Sequence, residues 1–326
     1  MTHPGTLIVS LDFELNWGVH DVYSLEQYGD RILGARQAIP RILELFQYYD
    51  VHSTWGIVGL LCFDSKVELL DNLPDIKPSY SNPIFSPYDK MDKVGENEEV
   101  DPYHFGSSLV RNIMNTPNQE IGTHTFSHYY CLEDGQTAEE FEADLMAAKY
   151  VFHQKSIPMH SFIFPRNQTH KSYLEICEKH GVTSYRGNET SWIYEASNLG
   201  QQHPVKRAAR LLDHYVNLTG HHTYLLDEVV KKPIANLPSS RFLRPYSRSL
   251  KLLEWSRLNR IKNSLTYAAK KGEVYHLWWH PHNFGKNIDE NIQFLRDILE
   301  HVELLKKRYS FQSLSMKEAT ETWKAK

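Results

Sequence analysis

The chain has 326 residues, 41% apolar and 23% charged, enough to bury a sizeable core without disulfides or a structural metal. Thirty-six basic residues against 40 acidic ones give a formal charge of −4, which excludes a whole-surface nucleic-acid footprint. Cys62, Cys131 and Cys177 are odd in number and widely spaced, so neither a disulfide framework nor a CxxC zinc site is expected.

Met1 to Thr6 carries no basic region, and the apolar run from Leu7 to Leu11 is too short for a signal peptide. No later stretch reaches the ~18 apolar residues of a membrane span. The expected location is therefore cytoplasmic, with peripheral contact at the inner membrane as an option considered below.

Leu7–Leu11 reads as a fully buried strand, a branched apolar run bounded by turn residues. A helical pattern runs from Arg31 to Tyr49, with Pro40 as a potential kink. Strands are predicted at Thr54–Gly59 and Gln119–Thr123. Thr137-Ala-Glu-Glu140 is a capping box that opens a helix to Gln154. Then come a strand at Ser161–Phe164, a helix over Lys171–His180 ended by Gly181, and a strand at Val182–Tyr185. Val274–Trp279 and Phe311–Ser315 are further strands, flanking a helix over Ile288–Lys307. Such alternation predicts an α/β fold, a distorted or incomplete (β/α) barrel of about seven parallel strands in a single domain.

Two stretches break the rhythm. Asp71–Asp101 is rich in Pro, Asn, Asp and Tyr and reads as a long surface insertion, a candidate lid. Lys231–Lys271 holds eleven basic residues against one acid, Glu254. With Leu250, Leu252, Leu253, Trp255, Leu258, Ile261 and Leu265 it could form an interfacial amphipathic helix on anionic lipid; a solvated helix face is the plainer reading.

The chemistry-bearing residues follow strands. Asp12 and Glu14 stand at i, i+2 on an extended segment, so both carboxylates face one way at the carboxyl end of the first strand. His124 and His128, in Gly-Thr-His-Thr-Phe-Ser-His, follow the third strand; on a helical turn this spacing would place both imidazoles on one ion. Two imidazoles and a carboxylate suit a divalent metal with open positions, zinc first and iron as the alternative. A third strand end carries Pro165-Arg166-Asn167, and a fourth carries Trp278-Trp279-His280-Pro281-His282. An Arg at such a place can orient a carboxylate base, and a His can protonate a leaving amine.

These residues together resemble the polysaccharide deacetylase family, the NodB-homology or family 4 carbohydrate esterases. The likeness rests on the acid pair Asp12/Glu14, on His124-Thr-Phe-Ser-His128, on Pro165-Arg166 and on His280 after an apolar strand. It extends to the terminal Phe311–Met316 segment and so covers nearly the whole chain. The resemblance implies a general base in Asp12, held by Arg166. It implies metal ligands in Glu14, His124 and His128, and a general acid in His280, with His282 competing for that role. Trp17, Asn167, His282 and Trp279 are the expected substrate contacts. Phe13 separates the two acids where family members often have them adjacent, and the family's Asp/Trp motif is matched only by Trp192.

The expected activity is metal-dependent removal of an N-acetyl or other N-acyl group from an amino sugar. The sugar would belong to a surface polysaccharide or to its nucleotide- or lipid-linked precursor. A deformylase or non-sugar amidohydrolase on the same site, and a catalytically dead glycan-binding protein, are the alternatives.

Overall fold

The computed structural model describes residues 4–194, 204–230 and 233–324. Its strands are β1 (Thr6–Phe13), β2 (Ser53–Ile57), β3 (Gln119–Thr123), β4 (Ser161–Phe162) and β5 (Ser184–Gly187). They continue with β6 (Ala235–Pro238), β7 (Arg241–Phe242), β8 (Val274–Trp279) and β9 (Gln312–Leu314). The helices between them are α1 (Leu25–Tyr48), α2 (Lys66–Asp71), α3 (Ser107–Asn115), α4 (Ala138–Gln154), α5 (Lys171–Lys179) and α6 (Pro204–Asp213). Then follow α7 (Leu226–Val229), α8 (Glu254–Lys271), α9 (Pro281–Phe284), α10 (Ile288–Tyr309) and α11 (Met316–Lys324).

All strand pairings are parallel, in the order β6-β5-β4-β3-β2-β1-β8-β7. β9 pairs with the amino end of β1. β6 and β7 lie on opposite edges, yet only Ser239 and Ser240 separate them. Three Cα steps of ~3.8 Å must span the two edges, so the sheet curls almost onto itself. Hydrogen bonds mark this seam: Ser239 N–H still donates to Gly187 O of β5, and Ser240 N–H already donates to His276 O of β8, both at 2.8 Å. The architecture is the expected α/β incomplete barrel. β6 and β7 are additions, too short and too polar to show as apolar runs.

Every residue of β1 is buried, as its branched composition requires of a strand covered on both faces. α1 starts earlier than predicted, at a Ser24/Gln27 capping box, and runs through Pro40. The Thr137 capping box forms: its hydroxyl accepts from Glu140 N–H, and Glu140 Oε2 accepts from Thr137 N–H. α1 and α9 meet at Gly34 and Gly285, where a Cβ on Gly34 would lie 1.9 Å from Gly285 O. This close approach fixes the segment that carries His280 and His282.

The Asp71–Asp101 stretch forms two short 3-10 turns, Pro83–Phe85 and Tyr88–Lys93. It packs on the barrel mouth, where Tyr80 Oη accepts from Tyr130 N–H at 2.8 Å and Lys90 donates to His20 Nδ1 at 2.7 Å.

The basic stretch is not one surface face. Arg241, Arg257 and Arg260 are buried. Arg241 pairs with Asp213 at 2.6 Å, and Arg257 pairs with Glu254. The apolar stripe of α8 (Ile261, Leu265, Ala268) lies in the core, where α8 packs against α10, so that face of the helix cannot also meet a bilayer. Lys231 and Lys232 fall outside the described residues. Among the described residues, no helix is long and apolar enough to cross a membrane.

Candidate active site

The carboxyl ends of β1, β3, β5 and β8 converge. Asp12, on β1, and Glu14, just beyond it, point to the same side, and Phe13 between them enters the core. A short 3-10 turn, Leu15–Gly18, follows at once. A Cβ on Gly18 would lie 2.0 Å from the Glu14 carboxyl carbon, so a glycine is needed there to make room for that carboxylate.

His124 and His128 do not sit on a helical turn, as their spacing had suggested. Thr125 and His128 adopt left-handed φ of 67° and 59°, and the loop is held from behind by Asp144. That buried carboxylate accepts from Phe126 N–H at 2.7 Å, from Ser127 N–H at 3.1 Å and from the Ser127 hydroxyl. Burial raises the Asp144 carboxyl to about 6, against these bonds.

Glu14, His124 and His128 bring one ligand atom each within 4.8 Å of one another, all buried. Glu14 Oε2 lies 3.2 Å from His124 Nε2 and 3.0 Å from His128 Nε2. His124 Nδ1 donates to the carbonyl of Ile163 at 2.8 Å, which leaves Nε2 as the nitrogen turned to the Glu14 carboxylate. A cation between them would take that edge of the ring and the carboxylate oxygen together. The donor set fits a divalent metal, and the hydrogen bond to Ile163 O favours the tautomer a metal ligand needs.

Asp12 is clamped by Arg186, not by Arg166. Arg186 Nη1 and Nη2 donate to the two Asp12 oxygens at 2.6 and 2.7 Å, a bidentate pair from β5. Burial pushes the Asp12 carboxyl up, but Arg186 and His280 outweigh it and hold it below the usual range. Arg186 also donates to Asn167 Oδ1 at 2.8 Å and to Ser10 Oγ at 3.2 Å, and its guanidinium lies 4.1 Å over the Trp278 ring. Ser10 Oγ in turn lies 2.8 Å from Nε2 of His276, whose imidazole burial drives down to about 3.

Arg166 points elsewhere because β4 ends after two residues. Arg166 and Asn167 both take left-handed φ, 53° and 52°. Arg166 is thereby turned onto Asp21, Glu133 and the Tyr130 ring, while Asn167 faces Arg186. The expected substrate contact Asn167 thus supports the base's partner.

His280 Nε2 lies 3.6 Å from Asp12 Oδ2 and 3.7 Å from Glu14 Oε1, with the side chain 24% exposed. The acid and base candidates are thus neighbours. His282 stacks on His280 with centroids 4.9 Å apart, and its Nδ1 lies 3.7 Å from Glu14 Oε1. Burial and the neighbouring His280 push its imidazole down to about 3, so it is a neutral floor beneath His280 rather than a group at the mouth.

Two expected sugar platforms are core residues. Trp17 is buried with its indole N–H on His104 O at 2.8 Å, because the turn after Glu14 drives the chain inward. Trp279 is buried against Phe46 and Phe284. Strand alternation puts Trp278 at the rim instead, half-buried against Phe242 (4.9 Å) and His280 (5.6 Å). Arg186, Ser10, His276 and Trp278 were missed. The one signal for Arg186 is a charged residue late in the strand Ser184–Gly187.

No family model and no curated protein sequence matches the chain. Solved structures do. A Mycobacterium smegmatis protein assigned as a polysaccharide deacetylase superposes with a TM-score of 0.60 at 12% identity, over 100% of this chain and 92% of that one. A Pseudomonas aeruginosa protein of the same assignment gives 0.59 at 10% identity, over 99% and 92%. The Puue allantoinase gives 0.55 at 11% identity, over 99% and 91%. The chain has the fold found in polysaccharide deacetylases.

Proposed function

We propose that this protein is a metal-dependent hydrolase that removes an N-acetyl group from an amino sugar of a surface glycan or its activated precursor. One observation carries the reading: a buried Glu14/His124/His128 ligand set lies beside a carboxylate clamped by an arginine, with the more exposed His280 3.6 Å from that carboxylate. The deacetylase fold of the structural neighbours supports it.

Glu14, His124 and His128 would hold the ion, zinc being the first candidate. A divalent ion there supplies Lewis-acid polarisation of the amide and a lowered pKa for water. Asp12, anionic through its Arg186 clamp, takes the proton of the water that attacks the acyl carbon. Each Asp12 oxygen keeps a lone pair beyond its bond to Arg186. As the C–N bond breaks, His280 delivers a proton to the departing nitrogen, giving acetate and a free amine. Arg186 and Asn167 hold the base in place, and Trp278 with Phe242 offers an aromatic rim for a sugar ring.

A second reading is an amidohydrolase acting on a non-sugar amide, which the likeness to an allantoinase favours. A panel of N-acetylated amino sugars, N-formylated amino sugars and cyclic ureides, assayed for acetate, formate and ring opening, separates the readings. Acetate release from the N-acetyl sugars is the expected result. Turnover of the ureide alone selects the second reading, and formate alone a deformylase. A metal-loaded protein that binds glycans without turnover is a binding protein.

A further inference from the structure

Large exposed apolar side chains are scattered over much of the described surface, with one run at Val22, Tyr23 and Leu25. A second cluster is more exposed. In the turn that leads into α8 and in the first residues of that helix, Leu252 is 88% exposed and Trp255 75%, with Leu253 exposed between them. Tyr215 O accepts from the Ser256 hydroxyl at 2.7 Å, which ties to this place the end of α6 and the segment after it, where Leu212 and Val216 are also exposed.

The cations are placed with them. Arg248 and Lys251 are exposed in the same turn, and neither has an acid partner among the described residues. The only acid of the turn, Glu254, is paired with Arg257. A line of contacts connects the patch to the candidate active site. Phe242 stands 6.1 Å from His280 and 6.2 Å from His214, and His214 adjoins Tyr215.

We infer that this turn is a docking surface for an anionic bilayer. Trp255 and Leu252 enter the headgroup–acyl boundary while Arg248 and Lys251 meet lipid phosphates. The occupant is chosen by charge and shape. A protein groove would have to cover a convex turn, whereas a bilayer takes protruding indole and leucine side chains and attracts unpaired cations. This surface is distinct from the α8 stripe, which is spent in the core, and it stands whether or not the deacetylase reading holds.

The test is co-sedimentation of the full chain with phosphatidylcholine vesicles, with and without phosphatidylglycerol, at low and high salt. The wild type pellets with the anionic vesicles at low salt and is released by salt. Leu252→Glu with Trp255→Glu weakens this by roughly a hundredfold or more. Lys251→Gln weakens it roughly fivefold. Circular dichroism checks that each variant folds. A wild type that stays in the supernatant, or a double variant that pellets like the wild type, overturns the proposal. A wild-type dimer that the double variant turns into a monomer, with no vesicle binding, assigns the patch to a second copy of the chain instead.

Discussion

Two buried acid–arginine pairs can be compared in this molecule, and they behave differently. Asp213, paired with Arg241, is saturated. Its Oδ1 accepts from Leu218 and Thr219 N–H, and its Oδ2 accepts from Tyr194, Thr219 Oγ and Arg241. Its burial raises the carboxyl, but Arg241 and these donors hold it far below the ordinary range. Asp12, paired with Arg186, has the same clamp but different surroundings. Beyond Ser10 and Asn167, which partner Arg186, it faces His280 and a cluster in which one Glu14 oxygen lies within 3.2 Å of two imidazole nitrogens. Burial of charge does not mark a site by itself, since structural ion pairs are buried too. The mark is a group left short of partners where a cation or a substrate would supply them.

The largest effect should come from the pair itself. Asp12→Asn is expected to lower kcat by about 10²–10⁴-fold while the protein stays folded. Asp213→Ala should cost about 3–5 kcal/mol of stability, read by urea unfolding, with kcat per folded molecule unchanged. If the two variants exchange these phenotypes, the comparison is wrong. Arg186→Lys keeps the charge but loses the fork. The acid limb of the kcat/KM profile should then move to higher pH, because Arg186 is what depresses Asp12.

Gly18→Ala sharpens the account on the metal side. The added methyl meets the Glu14 carboxyl, so bound divalent metal should fall with little change in fold, as measured by elemental analysis and circular dichroism. Acid stability gives a milder effect. His276 and His214 are each pushed from 6.5 down to about 3, chiefly by burial, so the unfolded chain binds more protons between those values. Stability should therefore fall as pH drops from about 6.5 toward 3, and His214→Asn should flatten that slope. Smallest is Thr137→Ala, expected to cost about 1 kcal/mol by removing the α4 cap.

The sequence shows most of the barrel because β1 and β8 are largely apolar runs, and β2 and β3, though mixed in composition, alternate with helical patterns and turn residues. It shows Asp12, Glu14, His124, His128 and His280 because each stands at or shortly after the carboxyl end of one of these strands. What it hides is geometry that depends on where a strand stops. β4 ends after Phe162, so the arginine that follows swings away and one from the next strand takes its place. The alternation of Trp278 and Trp279 was legible, but which of them faces the mouth depends on the register of β8 against β1. The loop that joins His124 to His128 looks helical by spacing, and only the left-handed φ at Thr125 and His128 shows otherwise.

The central claim is that the Glu14, His124 and His128 cluster is a metal site that the hydrolysis needs. It is tested most directly by measuring divalent metal and acetate release together on the wild type and His124→Ala, purified identically. The account predicts a single equivalent of metal and turnover of an N-acetylated amino sugar in the wild type, with both lost in the variant. Equal metal content and equal turnover in the two proteins would contradict it.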